Sequence, residues 1–167
     1  MTNMAMALVK EPKIRPKIPR IVVMAAAFDR QYSEWNIRCD PVAAALVFNS
    51  GIPMTVIGLD VTTQCVFNDA DLKRLHSSKD TLAKNLSAAT TAWNPKGYPT
   101  LHDPPAVETL LDPAIVTLRR GRVRVELSGT DTYGYTLFTP DDKGPHEIGV
   151  AVKSRAALDL WLERVLG

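Results

Sequence analysis

The sequence predicts an α/β domain: part of an open, mostly parallel sheet with helices on both faces, followed by a C-terminal hairpin region. Three observations carry this. Ile21-Val22-Val23-Met24 and Met54-Thr55-Val56-Ile57 are short apolar runs with no polar face, as in strands covered on both sides. Between them, residues 42–48 are apolar on nearly every side and read as a buried helix, completing a βαβ unit. The polar residues then fall after the strands. Glu34, Asn36 and Asp60 are thereby placed at the carboxyl edge of a parallel sheet, where open α/β folds bind ligands.

Taken in order, Thr2-Asn3 is expected to cap a short helix over residues 4–9. Pro12, Pro16 and Pro19 break any period in the next stretch, which reads as loop. Asp40 is a ready N-cap for the central helix, Pro41 suits its first position, and Asn49-Ser50-Gly51 supplies a left-handed stop. Asn68-Asp69-Ala70-Asp71 announces a further helical region, read as two helices hinged near Ser77-Ser78. Residues 93–101 read as a loop leading to His102-Asp103-Pro104. There Asp103 can cap a helix that holds Val107, Leu110 and Leu111 inside. Residues 122–127 alternate strictly, giving a half-exposed strand with a hairpin partner over 133–138, and residues 148–152 form a further strand. Residues 154–166 form an amphipathic helix with Ala157, Leu158, Trp161, Leu162 and Val165 on its apolar face.

The 167 residues are enough for one domain with a real core, 1–167, and contain neither an internal repeat nor a low-complexity segment. A net charge of +2 is too small to point to a nucleic-acid partner. No apolar run approaches the ~20 residues of a membrane span. Cys39 and Cys65 have no metal spacing and no secretory framework, so the expectation is a cytoplasmic protein with reduced thiols.

The residues left for chemistry are oxygen and nitrogen side chains at strand ends. Glu34 and Asn36, two apart in an extended loop, can face one cleft, and their acceptor and donor groups suit neighbouring sugar hydroxyls. Solvated loop residues are the commoner case for such a pair. His102 is a candidate general acid, because histidine changes charge near neutrality. On composition alone, Asp103 reads first as a helix cap. His76 and His146 read as surface residues, and Trp93 and Trp161 as packing.

Several segments together resemble the nucleoside hydrolases of the inosine–uridine-preferring type. TNMAMALVKEP resembles the continuation of that family's GPLTN motif, and KIPRIVVM its strand ending in Met-Gly-Gly, here Met24-Ala25-Ala26. SEWNIRCDPVAAALVFNSGIPMTVIGLDVT resembles its E-[FW]-N-x-x-x-DP-x-A block and the LDVT after it. LHDPPAV resembles its H-D-P-x-A motif, and VRVELSG a late strand. The family's acidic D-x-D-x-x-x-DD motif has no counterpart, so the chain resembles the C-terminal part of such an enzyme.

The resemblance implies calcium-dependent cleavage of the N-glycosidic bond of a ribonucleoside substrate. His102 would serve the departing base. Glu34, Asn36 and, with less support, Met24 would hold or line the ribose site. Asp103 and the main-chain oxygen of Thr2 would ligate calcium. It further implies weak calcium binding and negligible turnover by this chain alone, because the remaining acidic ligands are lacking. A non-catalytic ribose- or partner-binding fragment is the alternative. An uncovered sheet edge would favour a homo-oligomer or pairing with an N-terminal half.

Overall fold

The computed structural model describes residues 1–95 and 97–167. Its centre is a five-stranded sheet made of β1 (Ile21–Met24), β2 (Met54–Ile57), β3 (Val116–Val125), β4 (Thr136–Pro140) and β5 (His146–Val152). The spatial order is β1-β2-β5-β3-β4. β1, β2 and β5 run parallel, while β3 is antiparallel to both β5 and β4. The sheet is therefore mixed, a parallel half joined to an antiparallel half, with β1 at one edge and β4 at the other.

Eight α-helices stand on the described residues: α1 (Thr2–Lys10), α2 (Trp35–Arg38), α3 (Pro41–Phe48), α4 (Leu59–Thr62), α5 (Asp69–Ser77), α6 (Thr81–Trp93), α7 (Pro104–Glu108) and α8 (Ser154–Leu166). They divide between two cores. Ile21 and Val23 of β1 pack with α1 and α3, whereas Val22 and Met24 pack with the group formed by α4 to α8. Successive strand residues point to opposite faces, so four apolar residues in a row require cover on both. All four residues of β2 are buried.

The central unit follows its sequence signals. Asp40 Oδ1 accepts from the Ala43 N–H at 3.0 Å, Pro41 opens α3, and Gly51 takes the positive φ of 76° that ends the turn. Asn68 and Asp71 form a reciprocal capping box at the start of α5. α5 and α6 are separate helices on either side of Ser78.

Several expectations change. α1 begins at Thr2 without a side-chain cap, because the N-cap position falls on Met1, which has no capping oxygen; the Thr2 hydroxyl, already in the first turn, donates to Asp40 Oδ2 at 2.7 Å. Pro12–Lys17 is a 3-10 helix, since proline at its start and a Glu11 carboxylate accepting from the Lys13 N–H favour a tight turn. Val107, Leu110 and Leu111 are exposed, not inside: α7 stops at Glu108 and turns Ala106 and Glu108 inward. Trp93 is 87% exposed at the end of α6, whereas Trp161 does pack, edge-on against Phe67.

His146 is buried, not a surface residue. Its Nδ1 accepts from the Val123 N–H at 2.7 Å, so Nε2 carries the hydrogen and donates to the Phe48 carbonyl at 3.1 Å. One neutral ring thus ties β5 to β3 and to the end of α3. Burial, with a smaller contribution from the Arg122 charge, holds its pKa below the ordinary histidine value.

Candidate functional site

The carboxyl ends of β1 and β2 open into a cleft of about 580 Å³. Met24, Glu34, Asn36, His102 and Asp103 all line it, together with Tyr32, Trp35, Leu59 and Trp93. Residues distant in sequence meet there because β1, the segment after it and the start of α7 converge on one sheet edge.

Glu34 and Asn36 belong to the start of a helix, not to an extended loop. Glu34 is the N-cap of α2 and 3% exposed. Its Oε1 accepts from the Asn36 N–H at 2.9 Å, and its Oε2 from the N–H groups of Ile37 and Ala26 at 3.2 and 3.1 Å. Each carboxylate oxygen accepts about two hydrogen bonds, so Oε1 retains capacity for one more donor. Asn36 Nδ2 donates to the Met24 carbonyl at 3.2 Å and contacts its sulfur at 3.4 Å, leaving the amide oxygen for a ligand. Met24 thereby fixes the amide as well as lining the cleft.

The turn between β1 and Glu34 is strained. Ala26 has φ of 80°, in the left-handed region that costs a residue with a Cβ roughly 1 kcal/mol or more. It is held from both sides, since its N–H goes to Glu34 and its carbonyl accepts from the Leu59 N–H at 2.9 Å. In the sequence motif matched by this stretch, glycine occupies that position.

His102 Nδ1 lies 2.9 Å from the Thr62 hydroxyl, which is fully buried. The contact orients the ring and leaves Nε2 for whatever enters the cleft. A protonated ring would donate from Nδ1 to Thr62 and from Nε2 to a leaving group. Asp103 begins α7, yet its side chain caps no backbone N–H. Its own backbone is helical, with φ −75° and ψ −38°, instead of extended as at most caps. The carboxylate remains exposed to the cleft.

Two predicted residues lie elsewhere. Asp60 does not line the cleft; its Oδ1 accepts from the N–H groups of Phe28 and Asp29 at 2.8 and 2.7 Å and shapes the turn after β1. Burial, together with the neighbouring Asp29 carboxyl, pushes its carboxyl upward, and its Oδ2 has no hydrogen-bond partner among the described residues. Thr2 opens α1 and borders a separate surface depression with Met1, Asn3 and Met4. Among the described residues, no three His, Cys, Asp or Glu side chains gather to hold a metal ion. Calcium takes about six to eight oxygens, so Asp103 fits one place in such a shell and the chain's own side chains do not close it.

Thr62 and the aromatic wall of Tyr32, Trp35 and Trp93 were not expected from the sequence. Thr62 ends the Leu59-Asp60-Val61-Thr62 segment, whose helical turn brings its hydroxyl under His102. Trp35 stands between the two predicted ribose-holding residues, and that position was the available clue.

Residues 1–159 match the family model described as "Inosine-uridine preferring nucleoside hydrolase". The chain is 34% identical over 98% of its length to "Pyrimidine-specific ribonucleoside hydrolase RihA" of Salmonella gallinarum, covering 58% of that protein. It is 36% identical over 77% of its length to "Probable uridine nucleosidase 2" of Oryza sativa, covering 42% of it. Among solved structures, the purine-preferring ribonucleoside hydrolase of Gardnerella vaginalis superposes with a TM-score of 0.86 at 32% identity. That match covers 99% of this chain and 58% of the other. The chain thus spans little more than half the length of the first of these relatives.

Proposed function

The chain belongs to the inosine–uridine preferring nucleoside hydrolase family, and from that premise we propose that its cleft holds a ribonucleoside for hydrolysis to ribose and free base. The observation that carries this reading is the convergence of Met24, Glu34, Asn36, His102 and Asp103 on one cleft.

The roles follow from the free valences. The remaining acceptor capacity of Glu34 Oε1 and the Asn36 amide oxygen take hydrogen bonds from vicinal ribose hydroxyls. Breaking the C1′–N bond leaves positive charge on the sugar and negative charge on the base. His102, oriented by Thr62, gives a proton from Nε2 to the departing base, while the Asp103 carboxylate stabilises the developing sugar cation. The flat faces of Trp35 and Trp93 offer the base an apolar wall. Relatives of this chain carry names with opposite base preferences, pyrimidine-specific and purine-preferring, so the base is left open.

We carry over calcium as the metal of the complete site, with Asp103 as this chain's ligand to it; Thr2, at a separate depression, is left out of that shell. When bound, such an ion makes a coordinated water nucleophilic. Calcium binding to the 167-residue chain is weak, because most of the shell would be water. The chain alone binds ribose and turns over ribonucleosides negligibly; with the remaining part of a relative supplied, turnover appears. Hydrolysis of inosine and uridine, assayed with the chain alone and with that part co-expressed, tests this. Robust turnover by the chain alone would refute the division of labour. In the completed enzyme, His102→Ala should lower kcat far more than it raises KM, and less so for substrates whose leaving group departs unprotonated. Equal losses on both substrate types would make His102 structural.

A further inference from the structure

The segment between β1 and α2, residues 25–34, brings Tyr32, Ser33 and Glu34 to the cleft. β1 and β4 are opposite edge strands of the sheet, and the segment leaves the first only to be fastened to the second. Three consecutive residues leading into β4 each hold a different point of it. The Thr136 hydroxyl grips Ala27 twice, donating to its carbonyl at 3.0 Å and accepting from its N–H at 3.2 Å. The Tyr135 hydroxyl donates to the Gln31 carbonyl at 2.6 Å, and the Gly134 carbonyl accepts from the Ser33 hydroxyl at 2.9 Å. Phe28 adds an edge-on contact with Phe138, the ring centroids 6.1 Å apart. The hydrogen-bonded pairs lie between 101 and 109 residues apart in sequence, so the turn does not fasten itself.

Where these tethers fall matters more than their number. Ala26, at its left-handed φ of 80°, directs its N–H to Glu34 Oε2. A residue with a Cβ keeps such a conformation only where its surroundings over-determine it. The peptide between Ala26 and Ala27 is gripped at both ends, its carbonyl accepting from the Leu59 N–H at 2.9 Å and its N–H donating to Thr136. On the other side, Ser33 immediately precedes Glu34 and is tied to Gly134. Gly134 stands at φ 82°, and a Cβ there would collide with the Ser33 hydroxyl, so glycine permits the approach. The Glu34 carboxylate is thus bracketed by two tethers from one stretch of chain.

We propose that Thr136, with Gly134 and Tyr135 beside it, is a positioning residue for the ribose subsite. It acts through Ala27 and Ala26 to hold the Glu34 carboxylate, and Asn36 with it, where the sugar hydroxyls meet them. Thr136 is buried and does not line the cleft itself. The inference rests on the ribonucleoside reading of the cleft and adds the part of the fold that keeps it in register. Only the hydroxyl is needed: valine has the shape of threonine but can neither donate nor accept, whereas serine does both.

The test compares Thr136→Val and Thr136→Ser with the wild-type chain by NMR and ribose titration. The backbone N–H protons of Ala26, Asn36 and Ile37 report the Glu34 carboxylate directly, whatever the stability of the fold. In Thr136→Val all three should move upfield, and ribose affinity should fall at least about tenfold. Thr136→Ser should keep the wild-type shifts and bind ribose within about threefold of the wild type. Tyr135→Phe, which cuts a single tether near the surface, carries the test should Thr136→Val not fold, with an expected loss of about threefold. Unmoved N–H protons or undiminished ribose affinity in Thr136→Val overturns the proposal, as does a Thr136→Ser chain that behaves like Thr136→Val. If Thr136→Val does not fold, undiminished affinity in Tyr135→Phe overturns it. Upfield shifts in Thr136→Val, in a chain whose wild type takes up no ribose, would uphold the positioning and defeat the ribonucleoside reading instead.

Discussion

α3 and α7 begin with the same two letters. Asp40-Pro41 opens one and Asp103-Pro104 the other, yet the two aspartates do different things. Asp40 is extended at φ −158°, caps Ala43 and receives the Thr2 hydroxyl. Asp103 is helical, caps nothing and faces the cleft. The helices diverge in the same sense. α3 is buried along nearly its whole length and held at its last residue by His146, whereas α7 is a single short turn with apolar residues exposed beyond it. An Asp-Pro start is therefore a stability device where the aspartate reaches back to the helix. Where the backbone turns it away, the carboxylate is released for a ligand.

The largest expected contrast is in packing. Phe48→Ala at the end of α3 should destabilise the chain by about 3–5 kcal/mol, because Phe48 is 2% exposed and packs edge-on against His146. Val107→Ala on α7 should stay within about 0.5 kcal/mol. Chemical denaturation of both variants measures the difference, and equal losses would erase the distinction between the helices.

Glu108 sharpens the comparison through pH. Its carboxyl stands at 4.5 in an unfolded chain and about 7 in the folded one, so the folded state binds the proton more tightly. That stabilisation is complete below pH 4.5 and is lost as pH rises to about 7. At 1.36 kcal/mol per unit it is on the order of 3 kcal/mol. Glu108→Gln should flatten this part of the stability–pH curve. A wild-type curve with no decline attributable to Glu108 would show that the carboxyl finds a partner.

His146→Ala should cost about 2–3 kcal/mol by leaving the buried Val123 N–H without its acceptor and releasing the end of α3. Its folded pKa is lowered, so its stabilisation is present above the unfolded histidine value of 6.5 and falls away as pH drops below it. Unfolding measured below pH 6.5 should show that loss in the wild type and not in the variant.

Much of this contrast was visible in the letters. Asp40, Pro41 and Gly51 bracket α3, and Asn68 with Asp71 starts α5, because caps act through neighbours in sequence. The strands of the βαβ unit were legible for the same reason: a continuous apolar run requires two covering layers. Asp103 resembled Asp40 until its dihedral angles were known, since capping depends on a backbone turn that the dipeptide does not dictate. His146 is buried by strands far from it in sequence, and Thr62 meets His102 across 40 residues. Glu34 and Asn36 were expected to face one cleft and do line one, but Glu34 also caps a helix beside the left-handed turn at Ala26, which their spacing did not reveal. The exposure of Val107, Leu110 and Leu111 depends on what α7 lacks on its outer side, which periodicity within this chain does not record.

The central claim is that Asp103 is free for a ligand because α7 does not use it. Asp103→Asn and Asp40→Ala should be compared by thermal unfolding and by ribose titration, following the His102 ring signals by NMR. Asp40→Ala should lose about 1–2 kcal/mol of stability and keep its ribose response. Asp103→Asn should unfold within about 0.5 kcal/mol of the wild type while its ribose affinity falls at least about tenfold. Unchanged ribose affinity in Asp103→Asn, or a stability loss matching that of Asp40→Ala, would contradict the claim.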